Sequence, residues 1–234
     1  MTLAVMQPYI FPYIGYFQLI QASDVFVFYD DVNFIKQGWI NRNRLLVNGK
    51  DFTFTISVKN ISSFALINET QLSDKRKIEF SKILKTIYQN YKQAPYFDNV
   101  YPFIKNLFEH DFETISELAI QSVLDTSNYL GLASTQFKVS SQVYTNQNLK
   151  ANERIIDICK VENAEKYVNT IAGEAIYSKE LFRENNIHLD FLQPKIITYK
   201  QFNNEFVPWL SIIDVIMFNS PAEISEILSR YDLV

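Results

Sequence analysis

The chain is poor in the residue types from which most catalytic motifs are built. Of its 234 residues, one is cysteine, two are histidine and five are glycine. A single thiol, Cys159, cannot close an intramolecular disulfide, and nothing else indicates an oxidising compartment. It lies in the helical string IIDIC among Ile155, Ile156 and Ile158, which suits a buried small hydrophobe better than a nucleophile. His110 falls in the helix linker EHDFE and His188 opens the strand-like HLDFL, so surface and structural roles fit them. Two histidines support neither a histidine-based metal centre nor a His-activated serine triad. The scarcity of glycine, with 47% hydrophobic residues, excludes a disordered or low-complexity chain. Basic residues are also in deficit, 22 against 26 acidic, which argues against a general nucleic-acid binder. No apolar run approaches the roughly 18 to 20 residues that span a bilayer. The N-terminus opens directly into an apolar strand, without a charged segment and cleavage site. These absences lead us to expect one soluble, cytoplasmic domain over residues 1–234, with no membrane span and no nucleic-acid partner.

What the chain has in abundance is aromatic residues, 19 Phe and 14 Tyr. They furnish an aromatic core, and tyrosine also lines polar grooves because its ring packs while its hydroxyl stays wet. Apolar strands at Leu3 to Met6 and Asp24 to Tyr29 bracket a short helix. Asn48-Gly49 between two alternating runs signals a hairpin, and Phe52, Phe54, Ile56 and Val58 mark its buried face. A polar loop over Lys59 to Leu72 leads to Ser73, which is expected to cap a helix with Ile78, Phe80, Ile83, Leu84, Ile87 and Tyr91 on its apolar stripe. Further helices are predicted at Tyr101 to Glu109 and Phe112 to Leu130, the latter stopped by Gly131.

Strands then alternate with helices again. Strands are expected at Gln136 to Val139, Lys166 to Asn169 and His188 to Leu192, with Ile196 to Tyr199 extending the sheet. Helices are expected at Asn152 to Val161, Glu174 to Asn185, Pro208 to Phe218 and Pro221 to Tyr231. The fold class is α/β: a mostly parallel sheet flanked by helices, with a helical insertion at about 73–131.

Ligands of open α/β sheets bind at the carboxyl ends of the strands. There the first strand delivers Gln7, Pro8 and Tyr9, with Pro8 and Pro12 stiffening the turn. The second delivers Asp30 and Asp31. Carboxylates there suit a metal on a nucleotide diphosphate, or a base for a substrate amine or hydroxyl. Adjacent residues of an extended chain diverge, so one is expected in the site and the other at a turn. Asn41, Arg42, Asn43 and Arg44 beside Trp39 form a polar loop suited to a nucleotide or sugar. A late cluster holds Tyr199, Gln201, Ser211 and Asp214. Asp214 lies in an apolar helix and requires a partner, for which an arginine or backbone amide of the N-terminal site would serve.

The strings QPYIFPYIGYF, ASDVFVFYDDVNFIKQGWINRNR and QFNNEFVPWLSIIDVIMFN, with NYKQAPYF, NYLGL, ERIIDICK and EAIYSKELF between them, closely resemble the WbqC-like protein family over essentially the whole chain. The resemblance implies a place in surface-polysaccharide, O-antigen-type biosynthesis, and points to transfer of an acyl or aminoacyl group onto the amine of a nucleotide-linked amino sugar. The donor it admits is an acyl thioester of coenzyme A or of an acyl carrier protein, although no coenzyme A loop is visible. By the motif positions, Asp30 is the base or amine anchor, Asn41 and Gln7 contact the oxyanion or sugar, and Arg42 binds phosphate. Tyr9 and Asp31 complete the substrate site, and Tyr199, Gln201, Ser211 and Asp214 close it. Two positions depart from the family pattern. Met6 stands where many relatives have histidine before Gln-Pro, which weakens any mechanism needing a histidine base. Ser220 replaces a glycine after the final Phe-Asn. Metal-dependent sugar or nucleotidyl transfer, and a non-catalytic sugar-recognition subunit, are the alternatives.

Overall fold

The computed structural model describes residues 1–59, 62 and 64–234. The predicted loop over 59–72 therefore lies partly outside the described residues. In chain order the elements are β1 (Thr2–Met6), α1 (Ile14–Gln21), β2 (Val25–Phe28), β3 (Arg42–Val47), β4 (Lys50–Thr55), α2 (Arg76–Tyr91), α3 (Phe97–Glu109), α4 (Ile115–Tyr129), β5 (Gln136–Val139), α5 (Ser140–Val143), α6 (Ala151–Val161), β6 (Lys166–Thr170), α7 (Lys179–Glu184), β7 (His188–Pro194), α8 (Ile212–Phe218), α9 (Pro221–Leu228) and β8 (Tyr231–Leu233).

The main sheet has six strands in the order β5-β2-β1-β6-β7-β8. All its pairings are parallel except β7 with β8. Alternation along the central strands sends their side chains to two cores, as a sheet buried on both faces requires. Ala4, Phe26 and Phe28 pack into the larger core with α1, the β3–β4 hairpin, α2 to α4, α8 and α9. Leu3, Val5, Val25 and Val27 pack on the other face with Ile155, Ile158 and Phe182 of α6 and α7. The α/β class and the mostly parallel sheet stand as expected, and α2 to α4 form the helical block inside the larger core.

The chain runs outward from β1 to β2 and on to β5, then returns to the other side of β1 for β6 and β7. The reversal lies between β1 and β6. Their ladder registers only Thr2 with Lys166 and Leu3 with Tyr167, although β1 runs on to Met6 and β6 to Thr170. The two carboxyl ends thus part at the switch point, where an open α/β sheet makes its binding crevice.

Local signals explain most boundaries. Asn48 and Gly49 both have positive φ, 51° and 74°, and close the hairpin as a type I′ turn. Gly131 follows α4 at φ 72°, and Thr114–Glu117 and Ser220–Glu223 form capping boxes. Phe54 and Ile56 are buried as the alternation predicts, whereas Phe52 near the hairpin turn is exposed.

Several expectations are corrected. The helix expected from Ser73 starts at Arg76: a tight turn, closed by the Arg76 amide on the Ser73 carbonyl, precedes the first α bond, from the Glu79 amide to the Lys75 carbonyl. The third helix begins at Phe97 and absorbs Pro102 in its interior. The stack of Phe97 on Tyr101 (4.9 Å) and their edge contacts with Tyr88 of α2 favour helix there, against a proline cost of about 3 kcal/mol. The helix predicted from Glu174 divides into a 3-10 turn at Ile171–Ala175 and α7, whose cap is Ser178. The segment Ile196 to Tyr199 does not join the sheet, because both edges of β7 are already filled by β6 and β8. The helix predicted from Pro208 starts only after Ser211, since Trp209 stands at φ 60° and no helix passes through that conformation.

Candidate functional site

The carboxyl ends of β5, β2 and β1 lie side by side, with Phe28 opposite both Val139 and Met6. The residues just beyond them are Ser140 and Ser141, Tyr29 to Asp31, and Gln7. Gln7 and Ser141 are thus about two strand spacings, roughly 10 Å, apart.

Asp30 is buried, and Ser141 takes both of its oxygens: the amide donates to Oδ1 (2.9 Å) and the hydroxyl to Oδ2 (2.6 Å). Burial raises the Asp30 pKa and the Ser141 bonds oppose the rise. Ser141 itself is only half-buried, so its hydroxyl is the accessible end of the pair. Asp31 points elsewhere, as adjacent residues should. Its Oδ2 accepts from Arg154 Nη2 at 2.5 Å and from Gln147 Nε2 at 3.0 Å, while its buried Oδ1 has no partner among the described residues. Arg154, on α6, also donates through Nε to Asn146 and stacks over the Tyr29 ring at 4.7 Å. Across the switch point stand Asn169, whose amide donates to the Tyr167 hydroxyl, and Tyr177, whose phenol burial pushes up to about 12.

Beyond Gln7 the chain turns through Pro8 to Tyr13, and hydrogen bonds fix this loop as much as its prolines do. The Tyr16 hydroxyl donates to the Gln7 carbonyl and the Ile10 amide to the Ile40 carbonyl. Asn43 Nδ2 donates to the carbonyls of both Ile10 (2.9 Å) and Phe11 (2.6 Å), and Ser211 Oγ adds a third donor to this backbone. The rings so held form an aromatic cradle of about 290 Å³ lined by Tyr9, Pro12, Tyr13, Trp39, Asn43, Arg44 and Trp209. Arg42 and Arg44, two apart on β3, stack their guanidinium carbons 5.1 and 5.4 Å from the Trp39 ring centre. Arg44 Nη2 also holds the Trp209 carbonyl at 2.7 Å. Burial raises the phenols of Tyr9, to about 12, and of Tyr13, so both are neutral donors near pH 7.

Gly15 shapes this wall. A β-carbon there would come within 2.3 Å of the Tyr13 ring, so only glycine lets Tyr13 fold over the start of α1.

The late polar residues form a third group. Asp214 is fully buried and accepts from the hydroxyls of Tyr91 (2.8 Å) and Tyr199 (2.6 Å) and from Gln201 Nε2 (2.6 Å). Burial raises its pKa and the three donors oppose the rise. The expected arginine or backbone-amide partner is replaced by two phenols and an amide. Gln201 further grips Val207 through both its carbonyl and its amide, which fixes the loop that carries Trp209.

The structure places Gln7, Asp30 and Asp31 at adjacent strand ends, whereas Tyr9 lines the cradle. Gln7 and Tyr9 are half-buried, and their side chains make no hydrogen bond among the described residues. Asn41 is committed, since its Nδ2 donates to the Ile56 carbonyl at 2.7 Å. Arg42 begins a strand rather than lying in a loop, and its Nη2 donates to the Gln37 carbonyl. Gln201 and Ser211 hold backbone next to the cradle, at Val207 and Phe11, and Tyr199 is bonded to the buried Asp214. His110 and His188 are exposed and Cys159 is buried, its thiol pushed up to about 12 by burial.

Sequence reasoning missed Ser141, Trp209, Tyr13 and Arg154. Only Arg154 carried a signal. It falls on the buried stripe of α6 with Ile155 and Ile158, where an arginine demands an acidic partner. Among the described residues no cluster of three or more His, Cys, Asp or Glu could hold a metal ion, and no helix is long and apolar enough to cross a membrane.

The sequence model of the WbqC-like protein family matches residues 7–226. The chain is also similar to an uncharacterized protein of Mycobacterium tuberculosis, Rv1507c, at 28% identity over 233 residues, covering 97% of each chain. No solved structure matches.

Proposed function

This chain belongs to the WbqC-like protein family, and on that premise we propose that it is an N-acyltransferase of surface-polysaccharide assembly. It transfers an acyl group from a thioester to the amine of a nucleotide-linked amino sugar. The observation that carries the reading is the Asp30–Ser141 pair, a buried carboxylate of raised pKa reached through one half-exposed hydroxyl. A carboxylate whose pKa is raised by burial is a stronger proton acceptor than a free one, which is the direction proton removal from an ammonium needs.

In this mechanism Ser141 Oγ takes a proton from the substrate ammonium as it passes its own to Asp30. The freed amine attacks the thioester carbonyl, so a C–N bond forms and the C–S bond breaks. The nitrogen's second proton passes to the departing sulfur, which leaves as the thiol, and Asp30 returns the first proton to solvent through Ser141. Gln7 Nε2 and the Tyr9 hydroxyl are the uncommitted donors for the developing oxyanion. The aromatic rings of the cradle suit a base or sugar face, and Arg44 suits the diphosphate. Asn41, committed to Ile56, is assigned to positioning, and Arg42 supports Trp39.

Metal-dependent sugar or nucleotidyl transfer has weaker support. Asp30 spends both oxygens on Ser141, and Asp31 spends Oδ2 on Arg154 and Gln147. The test is thiol release from an acyl thioester in the presence of nucleotide-linked amino sugars, with the product mass read directly. Ser141→Ala and Asp30→Asn should each lower turnover by about 10²-fold or more without loss of folding. Activity that a chelator abolishes, or full turnover in both variants, would sink the reading. Sugar binding without any turnover would instead leave a recognition subunit.

A further inference from the structure

A second concavity adjoins the cradle. It has a volume of about 410 Å³, and its walls include Ile14, Ile196, Ile197, Phe206 and Leu210. Tyr13 and Trp209 line both spaces. Their rings meet edge to face at 6.2 Å, so the two spaces are separated by one pair of side chains.

Three features make this groove more than an ordinary apolar surface. Ile196 is 94% exposed and Trp209 is 63% exposed, a large apolar display for one short loop. Trp209 stands at φ 60°, an unfavourable conformation for a bulky residue, and it is held there by Arg44 and by the Gln201 grip on Val207. None of the described lining residues is acidic, and the one charged residue among them, Lys195, is paired with Asp232 at 2.7 Å. The chemistry is that of an apolar chain on one side of Trp209, with the cradle on the other side left to the nucleotide-linked sugar.

We propose that the groove beside Trp209 takes the hydrocarbon chain of the acyl donor, so that the transferred group is a fatty acyl chain rather than an acetyl or aminoacyl group. The identity of the ligand as a donor rests on the acyltransferase reading above. The geometry argues against an aminoacyl group, whose ammonium would find no carboxylate in the groove. It also argues against acetyl, which would leave most of the groove unfilled.

The test is direct because Trp39 and Trp209 are the only tryptophans in the chain and both line the cradle. Their intrinsic fluorescence is titrated with acetyl-, butanoyl-, hexanoyl-, octanoyl- and glycyl-coenzyme A, using the full chain. Burying each added methylene should tighten binding by about fourfold until the groove is full, with glycyl no tighter than acetyl. Ile196→Asp, at a position open to solvent, should keep the thermal midpoint and flatten the series. A flat series in the wild type would overturn the proposal, as would a slope that survives Ile196→Asp. So would light scattering that shows a wild-type dimer turned into a monomer by Ile196→Asp, since a second copy of the chain would then cover the groove. The two readings fail separately. A chain-length series without amine acylation removes the transferase and leaves the groove. Acylation that is indifferent to chain length removes the groove and leaves the transferase.

Discussion

Removing the charge of Arg154 offers the sharpest test of how the carboxylate end of the site is built. Arg154 and Asp31 are both almost wholly buried, and their contact is the 2.5 Å bond from Nη2 to Oδ2. A buried pair of this kind adds little compared with well-packed apolar residues, but losing one partner strands the other charge, at about 3 to 5 kcal/mol. Arg154→Met keeps the stem that packs in α6 and takes away the guanidinium. Asp31 would then keep only Gln147 Nε2 at 3.0 Å, with Oδ1 already unpartnered. For a chain of this length 1 kcal/mol moves the thermal midpoint by about 2 to 4 °C, so the loss should be about 6 to 20 °C. The double variant Asp31→Asn/Arg154→Met removes both charges and should recover more than half of that drop. The assay is thermal unfolding by circular dichroism on the wild type, both single variants and the double. A fall below 2 °C for Arg154→Met, or effects that simply add in the double, would refute a coupled buried pair.

Further outcomes follow from other contacts. Asp214 has its pKa raised in the folded chain, so its contribution to stability is present below the ordinary value of 3.8 and is lost as pH rises through the folded pKa. The stability of the wild type relative to Asp214→Asn should therefore be greatest at the acid end of a pH series, and the opposite trend would contradict the assignment. Gly15→Ala should keep the fold, because the Tyr13 ring it displaces is a movable side chain. It should weaken ligand binding in the cradle and change the tryptophan emission; unchanged emission and affinity would remove Tyr13 from the wall. Cys159, buried with its thiol pushed up to about 12, should resist alkylation in the native chain at pH 8 and react once unfolded. Rapid native modification would contradict its burial.

The carboxyl edge of the sheet, where the candidate site was sought, was legible without coordinates. Apolar strands running into Gln7 and into Asp30–Asp31 marked the carboxyl edge of a parallel sheet, because strands buried on both faces read as unbroken hydrophobic runs. The roles of individual polar side chains were less legible. Asn41 and Asn43 look like ligand contacts in a linear reading, yet both spend their amides on distant carbonyls, of Ile56 and of Ile10 and Phe11. Ser141 gave no signal, since its only distinction is a carboxylate 111 residues earlier in the chain. Trp209 gave none either, because an exposed aromatic in a loop has no periodicity to read.

The amino-acid sequence alone determined the α/β class, the helical block, the buried cysteine and the family, since these follow from hydrophobic period, turn residues and ordered motifs that act over a few neighbours. Strand order, the parting of β1 from β6, and the Asp30–Ser141 and Asp31–Arg154 partnerships were decided only by the tertiary structure. So was the packing of Tyr13, Trp39, Arg44 and Trp209 around one space. Each of these joins segments far apart in the chain, and burial makes a polar group take whichever partner the packing brings within reach, at whatever sequence distance.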